Sequence, residues 1–185
     1  MRGVIKELDR IVGSSLRQLA ADTHVRSWCA KENDWVNYFA HRYLMGQVSK
    51  RGPLKEPTQI CIEVSVPQPS NRLAYDRPSV RRDLVIWSEC GQTAFDGDCF
   101  KANWSPCKHP LAILEWTVHR PGHKKSRAIF EKERQWLRDY CKENPSVLGY
   151  AILIDGTCSP RKLACNRFFG LNEDEDWLDL SLDSL

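Results

Sequence analysis

The sequence predicts a single α/β domain, and three observations carry that prediction. Apolar residues recur with helical spacing in some stretches and with strand spacing in others. Three short apolar runs, RRDLVIW, LAILEWTV and LGYAILID, read as buried strands. At 185 residues with 42% hydrophobic content, the chain is long enough for one domain with a real core, and two complete domains would be cramped.

The elements follow in order. Leu8, Ile11, Val12, Leu16 and Leu19 keep helical spacing and predict an amphipathic helix over residues 4–20. A second helix is expected from about Trp28 to Gln47, with Val36, Phe39 and Tyr43 on one stripe, Glu32 sharing that inward face, and Gly52-Pro53 stopping the chain. QICIEVSVP (59–67) alternates as a strand and ends at Pro67 and Pro69. After a polar loop (68–80), the two acid-bearing strands are expected at about 82–88 and 111–118, separated by a connection rich in Gly, Cys and Asp. Alternation groups Asp83 with Val85 and Trp87, and Glu115 with Ile113 and Thr117. HRPGHKK makes a turn, and Ile129, Trp136, Leu137 and Tyr140 pace a helix over about 124–143 that Asn144-Pro145 stops. LGYAILID (148–155) and RKLACNRFF (161–169) complete the strands. The expected order is α-α-β-β-β-α-β-β.

No apolar run is long enough to cross a bilayer, and the N-terminus is charged throughout, so a soluble, intracellular, cytoplasmic protein without a membrane partner is expected. Its eight cysteines are then expected as reduced thiols. The net charge of +3 conceals an asymmetry. Residues 171–185 hold six acids and no base, while the preceding residues carry all 27 bases against the other 18 acids, a net +9. We therefore divide the chain into a domain over 1–170 and an acidic C-terminal tail over 171–185. The tail is expected to be poorly ordered or to lie against the basic body, with Trp177, Leu178, Leu180 and Leu182 also allowing a docked helix. A basic body suits a phosphate-rich partner, although a solvated surface would show the same charge.

Asp83 and Glu115 each stand in the middle of an apolar run, where an unpaired carboxylate costs several kcal/mol, roughly 2–7 for a polar group and more for a charge. A shared divalent metal would compensate both. Taken singly, each acid also admits an ion-pair reading, Asp83 with Arg81 or Arg82 at a strand end and Glu115 with Arg120. Glu32 alone reads as a solvated helix residue.

The order of elements over roughly residues 28–155, with Asp in RRDLVIW and Glu in LAILEWTV, resembles the PD-(D/E)XK nuclease superfamily, the restriction-endonuclease-like fold. The resemblance implies a central mixed β-sheet flanked by helices, with an α-β-β-β-α-β core. It also implies a Mg²⁺-dependent nuclease, with Mn²⁺ as a substitute, hydrolysing phosphodiester bonds of DNA. Carried over, Asp83 and Glu115 become metal ligands with the backbone carbonyl of Trp116 as a third, and Glu32 takes the place of the acid that many members carry on the first core helix.

The chain departs from the motif at Thr117, where the family has lysine. Lys124, Lys125 or His119 would then stand in for it, or catalysis is lost and binding retained. Arg81-Arg82 and His119 to Arg127 bracket the expected site with positive charge, and Trp35, Trp104 and Trp116 are candidates for stacking on bases. A separate cluster, Cys90, Cys99, Cys107 and His109, could close a structural Zn²⁺ site, although it lacks a tight Cys pair. Beside the nuclease expectation stand a catalytically impaired nucleic-acid-binding or assembly subunit of the same fold and a zinc-stabilised interaction domain. A homodimer or larger assembly is compatible with each.

Overall fold

The fold was obtained as a computed structural model that describes residues 2–25, 28, 30–70, 79–89, 109–123 and 125–183. Three α-helices, α1 (Arg2–Ala21), α2 (Glu32–Phe39) and α3 (Ser126–Glu143), pack on an open six-stranded sheet. Its strands are β1 (Ile60–Pro67), β2 (Ser79–Ile86), β3 (Ala112–His119), β4 (Leu148–Asp155), β5 (Lys162–Phe169) and β6 (Asn172–Ser181). They lie in chain order, every neighbouring pair antiparallel except β3 and β4, which are parallel and joined by α3. A parallel pair needs such a crossover, and an 18-residue helix provides it.

Two apolar clusters sandwich the sheet. Leu8, Val12, Leu16 and Leu19 of α1 join Trp35, Val36 and Phe39 of α2 on one face, against Leu84, Leu114, Trp116 and Ile152. On the other face Phe130, Trp136, Leu137 and Tyr140 of α3 cover Val85, Trp87, Ile113 and Ala151. Each fully buried leucine contributes roughly 1.5–3 kcal/mol, and α3 approaches closely enough that a Cβ on Gly149 would meet Cys141 Sγ at 2.9 Å.

The second helix begins later than its periodicity suggests. Lys31 is extended, and its N–H donates to Asp34 Oδ2 at 2.8 Å, which sets the first turn at Glu32. The α-helix ends at Phe39 and continues as a π turn (Ala40–Leu44) and a 3₁₀ turn (Met45–Gln47), which keep Tyr43 and Leu44 in the core.

The acidic segment forms β6, an edge strand rather than a docked helix. Leu178 and Leu182 are buried, and a register shift opposite Cys165 to Arg167 accompanies Asp176 at φ 50°. Trp177 lies against α1 so closely that a Cβ on Gly13 would meet its ring at 2.9 Å, which explains a glycine within that helix. Glu173 binds Arg134 at 2.7 Å and Arg138 at 2.5 Å, so β6 neutralises part of α3. No described helix is long and apolar enough to cross a membrane. Four described cysteines, Cys61, Cys141, Cys158 and Cys165, are free thiols.

Candidate functional site

The site grows from a fork in the sheet. β2 and β3 share only the pairs Leu84 with Leu114, Val85 with Ile113 and Ile86 with Ala112. Beyond them β2 follows β1 as far as Ser79 opposite Pro67, while β3 follows β4 as far as His119 opposite Asp155. The free edge of β3 would leave amides without partners. Two carboxylates take them: the Trp116 N–H donates to Asp83 Oδ2 at 2.7 Å, and the Val118 N–H hydrogen-bonds Glu32 from the start of α2.

A change of facing prepares this fork. Ile60 and Ile62 of β1 pack on the α1 side, whereas Val64 packs on the α3 side along with Val66, and between them Glu63 adopts φ 52°. β2 follows suit. Leu84 and Ile86 face α1, while Arg82 turns its guanidinium over the Trp136 ring of α3, 3.7 Å from its centre. A simple alternation along β2 therefore does not hold through Asp83.

A cavity of about 460 Å³ occupies the fork, with Glu32, Asp83, Glu115, Trp116, Lys132 and Glu133 in its walls. Arg82 is 4% exposed and pairs with Glu115 at 3.1 Å and with Glu133. Burial pushes the Glu115 carboxyl well above the ordinary range, against the pull of Arg82 and with the repulsion of Asp83 and Glu133. Burial also raises Asp83 to about 6 despite the Trp116 N–H, and Glu32 to about 7 with added repulsion from Asp83 and Glu133. Asp83, Glu115 and Glu133 thus share the Arg82 guanidinium while Glu32 faces Arg120, so with all four ionised negative charge is in excess.

That excess is the test for a cation. Glu115 Oε1 is buried and meets only part of its charge in the Arg82 guanidinium 3.1 Å away, which Glu133 shares. Carboxylate and carbonyl oxygens are the donors that Mg²⁺ prefers, and Trp116 presents its carbonyl on the same strand edge as its amide. The donor set fits such an ion. Among the described residues, no three His, Cys, Asp or Glu side chains are grouped to hold one by themselves, so the fit rests on Asp83, Glu115 and the Trp116 carbonyl.

Other expected residues fall elsewhere. Thr117 is 3% exposed and lines a neighbouring cavity with Lys125, while Glu32 forms a wall common to both cavities. His119 Nδ1 is 2.6 Å from Ser126 Oγ, outside either cavity. Lys124, Trp104 and the thiols Cys90, Cys99 and Cys107 lie outside the described residues, and His109 contacts Tyr140 at 3.4 Å. Several expectations need correction. Arg82 is a buried counter-ion and not a surface cation, because stacking on Trp136 and two carboxylates hold it inside. Glu115 takes Arg82 as its partner rather than Arg120, which donates to the Ala30 carbonyl. Trp35 and Trp116 pack in the core and present no ring for stacking.

The sequence reading missed Glu133 and Lys132. Glu133 stands three residues before Trp136 and four before Leu137, on the stripe that α3 turns toward the sheet. An acid on that stripe was the available signal. Compared with known proteins, the chain matches no family model, no curated protein and no solved structure.

Proposed function

We propose that this chain is a metal-dependent nuclease domain of the PD-(D/E)XK type that hydrolyses phosphodiester bonds of DNA. One observation carries the reading: Asp83 and Glu115, from two strands that part company, wall one cavity with their carboxyls close enough to repel each other. The three-strand meander, the α3 crossover and the parallel β4 agree with that superfamily's core.

Asp83, Glu115 and the Trp116 carbonyl would hold Mg²⁺, which when bound lowers the pKa of water and offsets charge on the scissile phosphate. The Trp116 amide fixes the Asp83 carboxylate. Arg82 pairs with Glu115 and Glu133 as a resident counter-ion. Lys132, exposed on the same wall, supplies the cation that the motif would place at Thr117, and it is better sited than Lys125, which opens onto the neighbouring cavity. There its ammonium would stabilise negative charge developing on the phosphate.

The test is cleavage of single- and double-stranded DNA with Mg²⁺ or Mn²⁺, together with calorimetric titration of Mn²⁺. Asp83→Ala and Glu115→Ala should each abolish both activity and ion binding. Ion binding that survives both substitutions would remove the reading. A second reading, a nuclease-fold subunit that binds nucleic acid without cutting it, is favoured by the Arg82–Glu115 pair, which already gives Glu115 a cation. Nucleic-acid binding without cleavage under both metals would select it.

A further inference from the structure

The second cavity, of about 440 Å³, has a different character from the first. Thr117, His123, Lys125 and Ser126 line it, with Glu32 and Ile129 on the wall that it shares with the carboxylate cavity. We propose that it is a phosphate subsite that holds a phosphate group of the nucleic acid next to the carboxylate cavity; the choice of nucleic acid rests on the reading above.

Three independent features converge there. α3 is 18 residues long and no side chain caps its N-terminus; the Ser126 N–H meets the His123 carbonyl at 3.5 Å, and the amides that follow in the first turn have no partners within the helix. Such an end attracts anions through both its N–H groups and its dipole. Thr117 is 97% buried, since its exposure is 3%, and its hydroxyl has no hydrogen-bond partner among the described residues. The Thr117 hydroxyl opens to the cavity rather than lying sealed in the core, so it is free to meet a bound group there. Lys125 is exposed at the same mouth and forms no ion pair among the described residues.

The turn that delivers these groups is fixed. Gly122 sits at φ 85°, a conformation that glycine adopts without strain, and the His123 N–H closes the turn on the Arg120 carbonyl at 3.1 Å. The Ser126 hydroxyl is already engaged by the His123 carbonyl at 2.7 Å and by His119 at 2.6 Å, so it braces the loop. Glu32 is the one acid on the wall. It is occupied by the Val118 N–H and faces the positive charge of Arg120, which limits its repulsion of an anion. Thr117 thereby acquires a role that a lysine at that position would not have: a neutral donor beside a helix end, with the charge supplied by Lys125.

The experiment uses the full chain in EDTA, so that it reads binding without hydrolysis. Inorganic phosphate is titrated by ³¹P line broadening, and a short single-stranded oligonucleotide, with 5′-phosphate or 5′-hydroxyl, by fluorescence anisotropy. Thr117→Val, which keeps the shape and removes the hydroxyl, and Lys125→Gln should each weaken phosphate binding about 10-fold, the range of a charge-assisted hydrogen bond. Thr117→Ser should restore it, and Lys50→Gln, a charge change away from the cavity, should leave it unaltered. Weakening confined to the 5′-phosphorylated strand would identify a terminal phosphate as the ligand, and weakening of both strands an internal phosphodiester. Either pattern supports the subsite. Equal phosphate affinity in the wild type, Thr117→Val and Lys125→Gln, or no phosphate binding by the wild type, would overturn it. Should Thr117→Val fail to fold, Lys125→Gln, at an exposed position, decides alone. Phosphate binding without DNA cleavage would leave the subsite standing and sink only the hydrolytic reading, whereas cleavage without phosphate binding would do the reverse.

Discussion

The Trp116 amide donates to Asp83 Oδ2 at 2.7 Å where β2 and β3 separate, so the same carboxylate that walls the cavity also takes the place of a strand partner. A second carboxylate, Glu32, repeats the arrangement one strand repeat further along β3, at Val118. Two acids thus hold the fork open.

Those acids predict how stability depends on pH. Burial raises Asp83 to about 6 from 3.8 and Glu32 to about 7 from 4.5. The folded chain therefore keeps protons that the unfolded chain releases. Stabilisation from this source is complete below the unfolded values and is lost as pH rises through about 6 and about 7. Without divalent ions, melting temperature should fall between pH 5.5 and pH 8. Glu32→Gln should flatten the profile, and a profile that is unchanged in this variant would remove Glu32 as its source. Mn²⁺ should raise the melting temperature more at pH 8 than at pH 5.5.

Arg82 predicts a large and specific loss. Arg82→Met should destabilise the chain by roughly 3–5 kcal/mol, because it leaves buried Glu115 and partly buried Glu133 without a cation. Urea unfolding measures this. Arg82→Met combined with Glu115→Gln should recover part of the loss, since the neutral amide no longer needs the guanidinium.

Lys132 and Thr117 separate two placements of the missing lysine. Lys132→Ala should lower DNA cleavage about 10²-fold and leave stability within about 0.5 kcal/mol, the expectation for an exposed side chain that stabilises transition-state charge. Thr117→Lys should raise cleavage only if Lys132 does not fill the role. Single-turnover cleavage by the two variants distinguishes the cases.

Deleting residues 171–185 should destabilise the domain rather than free a basic surface. The deletion exposes Leu163 and Cys165, removes buried Leu178 and Leu182, and strips Glu173 from Arg134 and Arg138. Leu182→Ala, which removes one buried side chain, should by itself cost about 2–5 kcal/mol. Thermal melting of both variants tests this. Stronger nucleic-acid binding by a fully folded truncated chain would show the opposite, that β6 is dispensable.

The α/β class and most elements were legible because continuous apolar runs and helical stripes report burial directly. LGYAILID coincides with β4, and Trp136, Leu137 and Tyr140 lie on the buried stripe of α3, where Phe130 takes the place expected for the exposed Ile129. Two features were hidden by local backbone geometry. At Glu63 a positive φ reverses which side chains face α1, and no period in the sequence announces it. In β6 the irregularity near Asp176 breaks the alternation just where four acids suggest a solvated tail, although Leu178 and Leu182 keep strand spacing. In the site, Asp83 and Glu115 stood out because acids are conspicuous in apolar strands. Glu133 and Lys132 did not, because charged residues on an amphipathic helix are ordinary and only the rotation of α3 over the fork turns them inward. The partnership of Arg82 depends on the same rotation, which brings Trp136 beneath it.

With β6 at the rim, the open side of the sheet carries Asp174, Asp176 and Asp179, of which Asp174 pairs with Arg167 and Asp179 with Lys162 on the adjacent strand. Charged side chains on an edge strand oppose edge-to-edge pairing, and replacing these three by Asn removes that obstacle. The chain should then self-associate through its last strand, a liability that follows from the way the fold ends.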